Sequence, residues 1–397
     1  MREGWKEITI GDLGQVITGN TPPRKQPDLY GKHTIFVKPT DMEVDKKYCY
    51  NPEEYYSEKG FIKYKKSLIP KGSTCVVTIG SIGQKMIKAH TELFINQAVN
   101  AIVPNNYYDE DFVYYLLKIN LFQLKTFDSG TASGRENVSK SSFSNIKLIV
   151  PKSKRTQSKI ASILSSYDDL IENNLKRIKL LEEKAQITYE EWFVKMRFPG
   201  YKTAKFDEVT GFPEGWERKN IGLFTDILKG KNITKSTICD GKIPVVAGGL
   251  NPAYYHDTAN TFNPVITVSA SGANAGFVNL YLEDVWASDC SYVDSKMSKH
   301  VFFIYSTLKQ NQDIITNLQQ GAAQPHVYPK DLKKIEILIP ELKYLNQFES
   351  IALSIFDSIR NFKMQNKLLK EARGILLPRL MSGMIDVEQL QIETLNV

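Results

Sequence analysis

The longest periodic pattern of apolar residues runs over residues 156–192, a segment without glycine or proline. Its apolar positions recur in steps of four and three, the heptad spacing of a helix that packs along one stripe. The stripe comprises Ile160, Leu164, Tyr167, Ile171, Asn174, Ile178, Leu181, Ala185, Thr188 and Trp192. At 1.5 Å per residue this predicts a helix about 55 Å long, which needs a partner for its stripe.

A second, weaker stripe near the end of the sequence can supply that partner. It comprises Ile355, Ile359, Phe362, Asn366, Leu369, Arg373, Leu376 and Leu380. We expect Gly374 and Pro378 to break its final turns. The alternative is that each helix packs only on its own domain. Asn174 and Asn366 either fix the register of a buried seam or lie at its solvated edge.

The rest of the chain has the short apolar runs and turn residues of β-rich domains. Residues 73–79 and 264–268 are the clearest strand candidates. Residues 109–120 predict a helix, because Asp109, Glu110 and Asp111 suit a helix N-terminus.

An internal repeat relates two halves of the chain. Gly4-Trp5, Ile10-Gly11 and Gly19 recur as Gly215-Trp216, Ile221-Gly222 and Gly230, at an offset of 211 residues. Residues 146–151 recur as residues 335–340, at an offset of 189. A drifting offset of this length indicates one fold used twice with different loop lengths.

The predicted fold class is α+β, with two β-rich mixed modules, each followed by a long helix, and the helices paired as an antiparallel coiled coil. The predicted boundaries are 1–150 for the first module, 151–197 for the first helical spacer, 198–213 for a linker, 214–340 for the second module, 341–385 for the second helical spacer and 386–397 for a C-terminal tail.

Composition narrows the class of protein. The chain has 397 residues and a net charge of +7, which permits a polyanionic partner without requiring one. Its four cysteines, at 49, 75, 239 and 290, form no CxxC pair, so a thiolate zinc site is not predicted. Four cysteines are too few for a disulfide framework in a chain of this length. No signal peptide or membrane span is visible, and we expect a cytoplasmic protein.

Motifs for catalysis are missing. The sequence contains no GxxxxGK[ST], HExxH or GxSxG, and we predict no catalytic and no metal-binding residue. Asn251-Pro252-Ala253-Tyr254 approaches a motif of amino-methyltransferases, but a turn explains it better. Asp28 with Asp45, Lys46 and Lys47 formally fits a nuclease pattern that is very permissive.

The order of motifs resembles one known family, the specificity (S, HsdS) subunits of type I restriction–modification systems. The resemblance covers nearly the whole chain. Its first copy is carried by Gly4-Trp5, Thr18-Gly19-Asn20-Thr21, Lys38-Pro39-Thr40-Asp41, Gly80-Ser81-Ile82-Gly83 and Asn96-Gln97, then by Gln157 with Ile160-Ala161 and Leu180-Leu181. Its second copy is carried by Gly215-Trp216, Ser271-Gly272-Ala273-Asn274, Gln347 with Ile351-Ala352, and Leu368-Leu369.

The resemblance implies that this chain recognises DNA and catalyses no reaction itself. Each module would be a target-recognition domain that reads one half of a bipartite double-stranded DNA sequence. The helices would set the spacing and dock two modification (methyltransferase) subunits, joined by two restriction (translocase and nuclease) subunits. S-adenosylmethionine, ATP and Mg²⁺ are expected on those partners, with none on this chain. The alternatives are a stand-alone DNA-binding or scaffold protein, and a hidden DNA methyltransferase or nuclease.

Residue by residue, the resemblance and the chemistry of base and phosphate contacts give the DNA-binding candidates. For any one of them, an ordinary turn or surface role is the alternative. The first module supplies Thr18, Asn20, Thr21, Lys38, Thr40, Asp41, Lys63, Lys65, Lys66, Ser81, Lys85, Gln97, Ser133, Arg135 and Asn137. The second module supplies Lys231, Asn232, Ser271, Asn274, Asp289, Gln324 and His326. A cluster of lysines interleaved with Phe61 and Tyr64 forms either a phosphate stripe or a solvated strand face; it comprises Lys59, Lys63, Lys65, Lys66 and Lys71.

Overall fold

The computed structural model describes residues 3–128, 136–234, 236–321, 325–388 and 390. The chain divides into two compact units: unit 1 is residues 1–173 with 365–397, and unit 2 is residues 174–364. Unit 1 holds the first module, and unit 2 holds the second.

Small β-sheets form the first module. Its strands are β1 (Trp5–Thr9), β2 (Gly14–Thr18), β3 (Tyr30–Val37), β4 (Glu54–Tyr56), β5 (Thr74–Val77), β6 (Met86–Lys88), β7 (Phe94–Ile95), β8 (Val99–Pro104) and β9 (Lys147–Pro151). β1 pairs antiparallel with β9, with Trp5 opposite Pro151. The antiparallel sheet has the order β2-β8-β5-β6, and a third sheet has the order β4-β3-β7 with β3 and β7 parallel.

The second module repeats this topology strand for strand. Its strands are β10 (Glu217–Asn220), β11 (Leu228–Lys229), β12 (Ile243–Val246), β13 (Tyr254–His256), β14 (Val265–Ser269), β15 (Val278–Tyr281), β16 (Trp286–Ala287), β17 (Cys290–Asp294) and β18 (Glu336–Ile339). The sheets have the orders β10-β18, β11-β17-β14-β15 and β13-β12-β16, and β12 runs parallel to β16. The predicted repeat of one α+β fold is confirmed.

The described residues also contain two long and eight short α-helices, besides 3₁₀ segments and one π-helical turn. The α-helices are α1 (Ile10–Leu13), α2 (Glu58–Tyr64), α3 (Glu110–Asn120), α4 (Lys140–Ser144), α5 (Lys154–Tyr189), α6 (Ile221–Phe224), α7 (Val301–Gln310), α8 (Gln312–Asn317), α9 (Pro329–Leu332) and α10 (Leu342–Met381). The Asp109 carboxylate accepts a hydrogen bond of 3.0 Å from the Phe112 N–H and caps α3, as its sequence predicted.

The second long helix corrects one expectation. α10 runs past Gly374 and Pro378 to Met381, so the predicted break of its final turns is wrong. A proline inside a helix costs about 3 kcal/mol. Leu380 and Met381, the last residues of the helix, are almost fully buried against the first module, and burial of such side chains contributes about 1.5–3 kcal/mol each. Packing therefore outweighs the proline.

The long helices run antiparallel to each other within each unit. In unit 1, Asp168 of α5 meets Arg373 of α10, and Thr156 near the start of α5 bonds Glu388 beyond the end of α10. In unit 2, the Arg177 guanidinium lies 5.6 Å from the centre of the Phe362 ring.

The predicted seam positions face the interior in both helices. The buried ones are Ile160, Leu164, Ile171, Asn174, Ile178, Ala185, Ile355, Ile359, Asn366, Arg373 and Leu380; the half-buried ones are Tyr167, Leu181, Thr188, Trp192, Phe362, Leu369 and Leu376. Near the end of α5 the most buried positions are Tyr189 and Phe193, each one residue later than the heptad pattern places them. An α-helix with 3.6 residues per turn drifts by about one residue from a 3.5 repeat over four heptads.

Unit 1 packs its module on the helices through a buried polar network. Lys47, 3% exposed at its side chain, lies 2.8 Å from the Asp111 carboxylate of α3 and donates to the Ser165 hydroxyl of α5 at 3.2 Å. Burial alone would lower the pKa of Lys47, but Asp111 and other nearby acidic groups hold that pKa above its ordinary value.

The same network continues into α10. The Tyr115 hydroxyl donates to the Asp168 carboxylate at 2.5 Å, and the Arg373 guanidinium donates to the other oxygen of Asp168. The Asp168 and Arg373 side chains are 4% and 7% exposed, so they form a buried ion pair.

Unit 2 makes the corresponding contact with aromatic rings. A π-helical turn, Glu190–Val194, follows α5 and carries Phe193 inward. The Phe193 ring centre lies 5.1 Å from that of Phe303 in α7, 5.3 Å from that of Phe348 in α10 and 5.8 Å from that of Trp216.

The predicted linker begins with a buried side chain, and the predicted tail has one at its second residue. Phe198 packs its ring 4.5 Å from that of Tyr344 in unit 2. In unit 1, Val387 is 2% exposed, and the Lys159 ammonium donates to its carbonyl at 3.0 Å.

Candidate nucleic-acid interface

In the first module, the loop after β2 is pressed against the end of β7. The Gly19 N–H donates to the Val99 carbonyl at 3.1 Å, and the Asn20 N–H donates to the Ile95 carbonyl at 2.9 Å. A Cβ at Gly19 would lie 2.1 Å from the Ile95 oxygen, so this approach requires glycine. The loop thereby holds Asn20 and Thr21 at the surface, where both are exposed.

The second module builds the same feature after β11. The Gly230 N–H donates to the Cys290 carbonyl at 2.8 Å, and the Lys231 N–H donates to the Ala287 carbonyl at 2.9 Å. A Cβ at Gly230 would lie 2.3 Å from the Ser288 carbonyl oxygen. Lys231 therefore takes the position that Asn20 has in the first module.

A second shared feature is the turn after β5 and after β14. The Gly80 N–H donates to the Glu136 carbonyl at 3.0 Å, and the Gly272 N–H donates to the Pro325 carbonyl at 3.2 Å. Both glycines have positive φ, +88° and +79°, which favours glycine. The exposed Ser81 follows the first of these turns.

Beside these turns lie two more predicted residues. Isolated β-bridges join Ile79 to Asn137 in the first module and Ser271 to His326 in the second. Both Asn137 and His326 are half-buried. The predicted Ser133, Arg135 and Gln324 lie outside the described residues.

A chain of hydrogen bonds supports the loop that follows β2 in the first module. The Thr18 hydroxyl donates to the Asn100 side-chain oxygen at 2.6 Å, and the Asn100 amide donates to the Thr78 hydroxyl at 2.9 Å. Asn100 is 3% exposed. Above it, the Thr21 hydroxyl donates to the Gln97 side-chain oxygen. Thr18 thus positions the loop through Asn100, and Thr18, Thr21 and Gln97 are all exposed.

The segment of Lys38 to Asp41 is largely occupied by internal contacts. The Asp41 carboxylate accepts from the Lys38 N–H at 2.7 Å and from the Glu53 N–H at 3.0 Å. The Lys38 ammonium lies 2.8 Å from Glu53 and 3.4 Å from Glu54. Thr40, at the tip, is exposed.

Several of the predicted polar residues meet in one cleft of the first module, the polar cleft. It brings together Thr40, Ser81 and Gln97, whose hydroxyl and amide groups suit base edges or phosphates. The paired Lys38 and Glu53 side chains line it as well. Lys85 lies beside it and donates from its ammonium to the Pro39 carbonyl at 2.9 Å. This bond holds the 38–41 segment against the rest of the cleft.

A second cleft, the basic groove, runs along β2. It is lined by Gln15, Val16, Ile17, Thr18, Asn20, Lys63, Tyr64, Lys66, Ser67 and Lys140. The lining contains three lysines and no carboxylate. Lys65 is exposed and does not line this groove. The sequence analysis missed Lys140, because only folding brings α4 beside the 63–67 segment.

The second module places its candidates on one face. The Ser271 hydroxyl donates to the Asp289 carboxylate, and the His326 ring lies 6.0 Å from that of Tyr328, nearly parallel to it. The Lys231 carbonyl accepts from the Trp286 indole N–H at 2.8 Å.

The other two candidates of this module lie in its loops. Asn232 is exposed in the loop that follows β11. Asn274 is half-buried, and its carbonyl accepts from the Phe277 N–H at 3.0 Å in a turn.

Neither the methyltransferase-like motif nor the nuclease-like pattern forms a catalytic site. Asp28 contacts the Lys59 ammonium, whereas Lys47 is buried against Asp111, so the residues of the nuclease pattern have other partners. Asn251 to Tyr254 is the turn that leads into β13, and its Ala253 N–H donates to the Val245 carbonyl.

Cys239, His256 and Asp257 are the one group of possible metal ligands in the part of the chain that the structure describes. Their ligand atoms lie within 4.8 Å of one another. The His256 Nδ1 accepts from the Cys239 backbone N–H at 3.1 Å, and its Nε2 lies 3.3 Å from the Asp257 carboxylate. Both ring nitrogens therefore contact protein groups.

Residues 2–183 and 213–371 match the model of the family described as "Type I restriction modification DNA specificity domain". The chain belongs to this family. It is 28% identical to the type I restriction enzyme MjaIX specificity subunit of Methanocaldococcus jannaschii, over 97% of this chain and 94% of that protein. It is 23% identical to the MjaVIII specificity subunit of the same organism, over 98% and 94%.

The fold agrees with a solved structure of the same kind. The type I restriction–modification S subunit from M. genitalium superposes with a TM-score of 0.60 at 17% identity, over 95% of this chain and 96% of that one. The resemblance inferred from the sequence is confirmed, and the chain is a specificity subunit, a non-catalytic member of its system. None of the helices described here is long and apolar enough to span a membrane.

Proposed function

We propose that this chain selects the DNA sequence on which a type I restriction–modification complex acts, with each module reading one half of a bipartite target. The observation that carries the proposal is the repeated polar face. The same two loops, after β2 or β11 and after β5 or β14, are held by the same backbone hydrogen bonds. Their side chains differ, with Asn20 in one module and Lys231 in the other. One scaffold with two sets of exposed side chains suits the reading of two different half-sites.

The long helices set the unread gap between the half-sites and dock two modification subunits, with two restriction subunits joining them. Apolar side chains exposed on both helices, among them Leu180 and Leu368, are available for contacts with these partners. S-adenosylmethionine, ATP and Mg²⁺ bind to these partners. An insertion of four residues after Lys176 lengthens α5 by about 6 Å. It should lengthen the gap in the methylated sequence and leave both half-sites unchanged.

Methylome sequencing of a host with and without this chain tests the proposal. One bipartite adenine-methylation motif should disappear when the chain is deleted and return when it is restored. A methylome that does not change would favour a stand-alone DNA-binding or scaffold protein. Methyl transfer or DNA cleavage by the purified chain at stoichiometric yield would instead show a hidden enzyme.

A further inference from the structure

The basic groove of the first module is shaped by a segment that the second module lacks. Residues 57–73 join β4 to β5 and contain α2, whereas the shorter residues 257–264 join the corresponding strands β13 and β14 and contain no helix. The first module therefore has an inserted helix with Lys63 near its end and Lys66 just beyond it.

The inserted helix is fixed firmly on the sheet. The Ser57 hydroxyl accepts from the Gly60 N–H at 3.0 Å and caps α2. A Cβ at Gly60 would lie 2.3 Å from the Leu29 carbonyl oxygen, so helix and loop are in direct backbone contact. The Phe61 ring meets the Phe94 ring edge-on, 6.1 Å between centres. A helix fixed in this way holds its lysines in place, and a charged group held in place binds a ligand at a smaller entropic cost.

The groove joins these lysines to neutral hydrogen-bonding groups. The Asn20 amide donates to the Ser67 hydroxyl at 3.0 Å, which ties the loop after β2 to the end of the insertion. The Lys63 ammonium donates to the Gln26 side-chain oxygen at 2.8 Å and forms no ion pair within the described residues. The Asp28 carboxyl lies near enough for the Lys63 charge to help lower its pKa, although the hydrogen bond from Lys59 is the main cause. The Lys66 and Lys140 ammonium groups form no ion pair with any residue that the structure describes. Across the groove, Lys140 adds a positive charge from α4.

We propose that the basic groove binds the sugar–phosphate backbone of duplex DNA, with Lys63, Lys66 and Lys140 as its phosphate contacts. The inference rests on the proposed function and adds a division of labour to it. Lysine ammonium and hydroxyl groups in a groove whose lining holds no carboxylate match phosphate oxygens and carry no base specificity. The lysines of the groove thus supply affinity and register in the first module, whereas Asn20 and the adjacent polar cleft supply base contacts.

The test measures the binding of the full chain to a fluorescent duplex of arbitrary sequence, by anisotropy over a series of salt concentrations. Each phosphate contact contributes about 0.9 to the slope of log affinity against log salt. The triple variant K63A/K66A/K140A should lower that slope by about 2 to 3. The triple arginine variant, which keeps the charges, should retain the slope. Lys25, an exposed lysine outside both clefts, gives the control K25A, which should bind like the wild type.

The possible results separate the two proposals. If the wild type shows no salt-dependent binding to DNA, the proposed function itself fails. If the wild type binds with a steep slope and the triple alanine variant keeps that slope, only the groove proposal fails. In complex with its modification subunits, the triple alanine variant should methylate the same sequence motif at a lower rate. A changed motif would show that these lysines read bases, and it would overturn the assignment.

Discussion

The two units share a backbone but pack their modules on the helices with opposite chemistry. Unit 1 buries the Asp168–Arg373 ion pair with the hydroxyl of Tyr115, whereas unit 2 clusters aromatic rings around Phe193. A buried ion pair loses most of its benefit to desolvation, while aromatic contacts gain from burial. The repeated fold therefore does not depend on one kind of core contact. It depends on the strand order and on the glycine contacts that both modules keep.

Breaking the buried Asp168–Arg373 ion pair should have the largest effect on stability. R373M leaves the Asp168 carboxylate buried without its cation, and we expect unit 1 to lose about 3–5 kcal/mol of unfolding free energy. Hydrogen exchange of peptides from α3 reports this loss locally. The double variant D168L/R373M should recover much of it, because an apolar pair needs no desolvation of charge. K179M breaks the exposed Lys179–Glu183 pair and should cost less than about 1 kcal/mol. An equally small loss for R373M would contradict a buried, energetically important pair.

The stability of unit 2 should depend on pH through one buried carboxyl group, that of Glu349. The Glu349 carboxylate accepts from the Phe302 and Phe303 N–H groups at the start of α7, at 2.9 and 3.1 Å. Burial raises the pKa of Glu349 to about 7, although these two bonds oppose the shift. The folded state therefore retains a proton that the unfolded state loses.

The contribution of Glu349 to the stability of unit 2 should accordingly be fully present below the ordinary pKa of a glutamate and should be lost as the pH rises to about 7, by up to about 3 kcal/mol. E349Q removes this titration. Hydrogen exchange of α7 peptides at pH 5 and pH 7.5 measures the difference, and an identical pH dependence in wild type and E349Q would refute it.

The shared glycines should respond alike in both units. G19A and G230A each force a Cβ against a backbone carbonyl oxygen, and we expect each to destabilise its own module by about 1–3 kcal/mol. G374A is the control, because a Cβ there meets nothing within 4 Å and alanine favours a helix by up to about 1 kcal/mol. Denaturant unfolding of the three variants makes the comparison. A large loss in only one of the two modules would show that the shared backbone contacts are not equivalent.

Sequence periodicity was sufficient for the repeat, the long helices and most seam positions, because these depend on local spacing. It failed at Pro378, where burial of Leu380 and Met381 decides the helix end. The family resemblance, and not periodicity, proposed Lys38 and Asp41 as DNA contacts; in the structure they are largely engaged with each other and with Glu53. Lys140 could not be found in this way, since its neighbours in the groove are more than seventy residues away in sequence.

The central claim is that each module reads its own half of a bipartite target. Its most direct test replaces residues 1–150 by the corresponding module of another specificity subunit and sequences the methylome of the host. The account predicts that one half of the methylated motif changes, while the other half and the gap between them stay the same. A change in both halves, or a change in the gap alone, would contradict the account.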